Sequence, residues 1–185
     1  DLFLATLAVR ADAEVQSALL ALATAMQQRF IEPQHGVMME KPLGAVDNWF
    51  EPGHQFEWFF LLESSDVLRG TPLHASLTRA FAYAEHKGVD KQTGAVSGML
   101  TLDGSVRDGT QRIWAQAEYL RALTLRPGSE AVLRRQLLAL QQRFLHAKGW
   151  NECLDAQGSV SRRDMPSTTP YHLATCYQGL VKVLG

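Results

Sequence analysis

The sequence is poor in cysteine, nearly free of net charge and without a long apolar run. Cys153 and Cys176 are its two thiols and have no metal-ligand spacing, so they read as inert packing residues in a reducing, cytoplasmic setting. A net charge of −1 and a pI near 6.7 leave no basic stripe, which argues against nucleic acid or an anionic membrane surface as partner. No apolar stretch approaches the roughly 20 residues that cross a bilayer, so no membrane span is expected. The glycines between Gly94 and Gly109 lack the spacing that cradles phosphate ahead of a helix, and no nucleotide site is expected.

What is present is enough apolar residue, 46% of 185, to bury a sizeable core as a single unit over 1–185. The chain opens on the apolar segment Asp1 to Val9 without an initiating Met, which reads as the end of a helix and as part of a longer chain. Helical steps of three and four residues then run from Asp12 to Phe30 through Val15, Leu19, Leu22 and Met26. They recur from Thr71-Pro72 through Leu73, Leu77 and Phe81, and from Ser129, the expected cap, through Leu133, Leu137, Leu140 and Phe144. Each pattern is followed by a glycine-marked stretch that reads as a brief hairpin or extended loop, with turns at Leu102-Asp103-Gly104-Ser105 and Ala156-Gln157-Gly158-Ser159.

Each loop leads into a second helix. One begins Pro52-Gly53-His54-Gln55-Phe56-Glu57-Trp58, with Pro at a first helical position and His54, Glu57 and Trp58 sharing a face. Another begins Thr169-Pro170-Tyr171-His172, with Thr169 as cap and a second His in a first turn. His54, Trp114 and His172 are 60 and 58 residues apart, so the chain reads as about three copies of a helix, loop, helix unit. Such units must stack to bury their inner faces, and the repeat gathers the loops and the helix starts at one end, where function is expected. Three copies, with the truncated opening, predict half of a closed ring of helical hairpins.

Gly53-His54-Gln55-Phe56-Glu57-Trp58, Trp114-Ala115-Gln116-Ala117-Glu118, and Gly149-Trp150-Asn151-Glu152 leading through Met165-Pro166-Ser167 to Tyr171-His172 resemble the carboxyl-terminal half of the N-acylglucosamine 2-epimerase superfamily. That group includes mannose isomerases and cellobiose 2-epimerases. The resemblance implies an all-α fold, half of an (α/α)6 barrel with short β-hairpin-like loops at the active-site end. It implies a sugar isomerase or 2-epimerase that removes the proton beside the carbonyl and passes through an enediol or enediolate, with neither cofactor nor metal. By position His54 and His172 match the acid/base pair, with His172 as the base at C2 and Glu57 orienting His54 or meeting a sugar hydroxyl. Trp58 and Trp114 match a stacking role, and Glu118 and Tyr171 complete the implied substrate site. A helix N-terminus disfavours imidazolium and is expected to keep both rings neutral. The implied partner is a small sugar, and the open side of a half barrel calls for the absent amino-terminal half or another copy.

Two other readings stand beside this one. His54, Glu57 and His172 form a two-His, one-carboxylate set of the kind that holds a metal. A helical-repeat module that binds a carbohydrate or protein without turnover would have no need of paired bases. Arg162-Arg163-Asp164, just ahead of the second His, reads as a solvated loop in preference to a phosphate contact.

Overall fold

The computed structural model describes residues 2–185, so Asp1, the first residue of the apolar opening, lies outside it. The described residues form seven helices: α1 (Leu2–Val9), α2 (Ala13–Arg29), α3 (Pro52–Glu63), α4 (Pro72–Gly88), α5 (Ile113–Leu123), α6 (Glu130–Phe144) and α7 (Thr169–Leu184). Short strands lie in the connections: β1 (Met99–Leu100), β2 (Val106–Asp108), β3 (Gln111–Arg112), β4 (Leu145–His146), β5 (Gly149–Trp150), β6 (Cys153–Leu154) and β7 (Val160–Arg162). The fold is therefore mostly helical.

The helix starts follow the side-chain chemistry, with two corrections. Asp12 accepts from the Val15 amide and Thr71 from the His74 amide, each satisfying a donor that a helix start leaves open. Ser129 precedes α6 but turns its hydroxyl back to donate to the carbonyls of Leu123 and Arg126. Thr169 is not the cap of α7 either, because its hydroxyl donates to Glu152.

The helices lie in two rows. α3 packs on α5 and α5 on α7, while α4 backs α3, α6 backs α5, and α2 lies against α1 and α4. α5 is the middle of the molecule and is buried almost all round, as expected for a helix enclosed on every side. Aromatic rings join helices within and between the rows: Phe56 of α3 lies 4.6 Å from Tyr119 of α5, and Phe59 of α3 4.7 Å from Phe81 of α4. The buried Tyr119 hydroxyl finds its partner in Glu85 at 2.8 Å.

The repeat read from the sequence has a counterpart in the backbone. Gly36 and Gly94, 58 residues apart, both take positive φ, and their amides donate to Glu32 and Asp90 in the same tight turn. These turns are flanked by the matching bridges Ile31↔Met38 and Val89↔Val96. A buried glutamine then fixes each loop to the following inner helix. Gln55 pairs with both backbone groups of Met38, and Gln116, with its amide oriented to satisfy both neighbours, accepts from Val96 and donates to Gly94.

The loops were expected as local hairpins, and β1–β2 and β6–β7 are such pairs. The decisive pairing is not local. β3 pairs with β6, Gln111 opposite Leu154 and Arg112 opposite Cys153, which ties the start of α5 to the approach to α7. The bridge Phe50↔Leu100 does the same between the approach to α3 and β1. These links hold the starts of α3, α5 and α7 at one end.

Candidate active site

At that end three first turns meet. A methyl group on Gly53 would come within 2.7 Å of the Trp114 ring, so the bare backbone lets α3 press against the start of α5. His54 follows, its ring 5.1 Å from that of Trp114. On the other side the His172 ring lies 5.4 Å from Trp114. The indole thus stands between two imidazoles, and all three line one open cleft of about 820 Å³ with Glu57, Arg112, Glu152, Cys153, Arg162 and Tyr171. This volume is in the range of small-molecule sites.

Both imidazoles are anchored in the same way. His54 Nδ1 lies 2.7 Å from Glu40 Oε1, and His172 Nδ1 lies 2.7 Å from Glu118 Oε1. An ionised carboxylate only accepts, so each Nδ1 carries the proton and each Nε2 is left for the cleft. The two dyads differ in their surroundings. Glu40 comes from a loop and is partly exposed, whereas Glu118 is fully buried on α5.

Burial works against a charged His54, but the hydrogen bond and charge of Glu40, helped by Glu51 and Glu57, hold it above the ordinary imidazole value. At His54 the balance therefore runs opposite to the direction expected of the helix terminus. A whole carboxylate charge at hydrogen-bond distance outweighs the half charge of a helix end. Burial also raises Glu51 above the usual carboxylate range, against the pull of His54, and Arg112 stands 3.7 Å from it. The thiols are held protonated by burial, Cys153 upward and Cys176 to about 12, in keeping with inert packing residues.

The cleft wall carries a second tie. Glu152 is buried, takes the Trp150 indole N–H at 3.0 Å and the Thr169 hydroxyl at 2.9 Å, and its carbonyl receives the Ile113 amide. One carboxylate residue thereby joins the starts of α5 and α7.

Among the residues singled out from sequence, His54, Glu57, Trp114, Tyr171 and His172 line the cleft. Trp58 does not: it is partly buried against the core, because the turn that points His54 and Glu57 outward carries the bulky indole toward neighbouring apolar side chains. Glu57 is not the anchor of His54, a part taken by Glu40. The ligand atoms of Glu57, Glu118 and His172 lie within 4.8 Å of one another, and His54 is outside that group. The set His54, Glu57 and His172 is thus not brought together. Arg162, read as a loop residue, lines the cleft while pairing with Asp164 through two contacts. Away from the cleft, His74 is largely buried against Glu63 at 2.9 Å. Glu40, Arg112 and Arg121 were missed. Glu40 lies in a loop with no period to reveal it, and Arg121 could have been found one turn beyond Glu118.

The fold has solved relatives. The structure of a D-mannose isomerase superposes with a TM-score of 0.58 at 26% identity, over 77% of this chain and 38% of that one. Cellobiose 2-epimerase from Bacillus thermoamylovorans shares the fold, with a TM-score of 0.73 at 17% identity over 93% of this chain and 48% of that one. In sequence the chain is 33% identical over 172 residues to a protein of Rhizobium meliloti (strain 1021) called mannose-6-phosphate isomerase, covering 82% of this chain and 44% of the relative. It therefore spans less than half the length of each of these. Residues 1–176 match the N-acylglucosamine 2-epimerase (GlcNAc 2-epimerase) family, and the chain belongs to that family.

Proposed function

We propose that this chain supplies the carboxyl-terminal half of an (α/α)6 barrel that isomerises or 2-epimerises a sugar. The observation that carries the reading is the pair of carboxylate-anchored imidazoles facing one cleft across Trp114. In this reading a sugar lies over the indole with C2 toward His172. The Nε2 of His172 takes the C2 proton, and the C2–H electron pair forms the double bond of an enediolate whose charge gathers on the carbonyl oxygen. His54, held toward its charged form, donates to that oxygen or to carbon. Transfer of the O2 proton to O1 with return of a proton at C1 gives a ketose, and return at C2 from the opposite face gives the epimer. Glu57 and Tyr171 are assigned to sugar hydroxyls. An amino-terminal half, or another copy, covers the open side along α1 and α7, where large apolar side chains are exposed.

The test is proton NMR in D2O on the complete protein with mannose, N-acetylglucosamine, cellobiose and mannose 6-phosphate, following the C2 hydrogen. One sugar is expected to lose its C2 signal, and His172→Ala is expected to slow that loss by about 10²–10⁴-fold. Tight sugar binding with no exchange by the complete protein would instead favour a binding module.

A further inference from the structure

Behind the His172 dyad stands a third charged group with no direct part in the reading above. Arg121 lies one turn past Glu118 on α5, with Nη1 at 3.3 and 3.5 Å from the two Glu118 oxygens. Both side chains are buried, 7% and 0% exposed. The guanidinium lies 4.0 Å over the Phe60 ring of α3. Glu118 Oε1, one of those two oxygens, also meets His172 Nδ1 at 2.7 Å. The result is a row from Arg121 through Glu118 on α5 to His172 on α7 that ends at the cleft.

A buried carboxylate facing only an imidazole would draw a proton onto that ring and hold it there, since burial strengthens the attraction. An arginine on the same carboxylate offsets that pull. At the His54 dyad the carboxylates are Glu40, Glu51 and Glu57, and among the described residues the arginine beside it, Arg112, pairs with Glu51. The charged and titratable groups around His172 are Glu118 and Arg121 on α5, Glu57 on α3, and Tyr171 and Cys176 on its own helix. Among them Arg121 is the fixed positive charge.

We infer that Arg121 is a positioning residue that neutralises Glu118, so that Glu118 fixes the His172 tautomer without charging the ring, and that this makes His172 the base and His54 the acid. The assignment of base and acid rests on the isomerase reading; the effect of Arg121 on His172 does not.

The experiment is an NMR titration of the histidine side chains in the complete protein, wild type against Arg121→Gln and Arg121→Lys, beside C2–H exchange against pH. With Arg121→Gln the His172 midpoint is expected to rise by about one pH unit, the acid limb of the exchange rate to move with it, and His54 to stay put. Exchange at pH 7 should fall about tenfold in kcat with KM unchanged, because Arg121 does not reach the sugar, and Arg121→Lys should restore most of it. A folded Arg121→Gln variant with an unmoved His172 titration overturns the inference. If Arg121→Gln does not fold, Glu118→Gln is compared with the Glu118→Gln/Arg121→Gln double variant, where the field of the arginine alone separates the two. A higher His172 midpoint in the double variant supports the inference and equal midpoints overturn it. A wild-type protein that exchanges no C2 hydrogen removes the isomerase reading and leaves the titration to judge Arg121.

Discussion

Glu40 is the residue on which His54 depends. Its hydrogen bond and charge carry the imidazole above its ordinary value despite burial, so Glu40→Gln is expected to lower the His54 midpoint in an NMR titration. An unchanged or raised midpoint would refute the assignment. The sign carries over to stability. A folded value above the unfolded one stabilises the protein fully below about pH 6.5 and loses that contribution as pH rises through the folded value. Chemical denaturation of wild type should show this slope, and Glu40→Gln should flatten it. The sequence revealed His54 and His172 because Pro and helical spacing mark both as first-turn residues, and Trp114 because it falls between them in the repeat. It concealed Glu40, which reaches His54 from a loop 14 residues earlier in the chain. Trp58 was misread for a related reason: sharing a helical turn with His54 does not decide which neighbours a bulky side chain meets.

At the scale of elements, the site depends on how closely α3, α5 and α7 approach. Gly53→Ala would drive a methyl group into Trp114 at 2.7 Å and into Ala115 at 2.8 Å. Helix α3 must then move away, at a cost of about 1–3 kcal/mol for overpacking. Thermal unfolding should report that loss, and C2 exchange should fall with it because His54 moves too. Thr169→Val tests the other tie. It keeps the shape but removes the hydroxyl from buried Glu152, and should cost about 1–3 kcal/mol in denaturant unfolding. Values below a few tenths would mean that Glu152 does not hold the start of α7. The helices themselves were readable from apolar periodicity, since each must bury one face. The β3–β6 pairing was not, because strands of two residues carry no alternation and their partner lies some forty residues away.

For the whole molecule, the first and last helices both carry exposed large apolar side chains. Leu2 and Val9 on α1 and Tyr177, Val181 and Val183 on α7 are open to solvent. Residues 1–185 expressed alone are therefore expected to self-associate, with a sedimentation mass above that of one chain and bound hydrophobic dye. Charged substitutions at Tyr177 and Val181 should disperse them, and a dilute monomer free of dye would count against the open-side assignment. That the helix starts bearing His54, Trp114 and His172 meet at one end was foreseeable from their spacing, because a repeated unit must stack in register. The number of units in the complete protein is not written in the period itself.

The pairing of Gln111 with Leu154 has a consequence for ancestry and growth. The chain leaves the site end at β3, runs out along α5, returns along α6 and comes back beside the strand it left. That excursion is closed at its base, and its outer turn at Pro127-Gly128 is exposed and eleven helical residues, about 16 Å, from the site. Added sequence at that turn lengthens a loop whose ends are already fixed, so the back of the molecule is free to acquire insertions over generations while the front keeps its geometry.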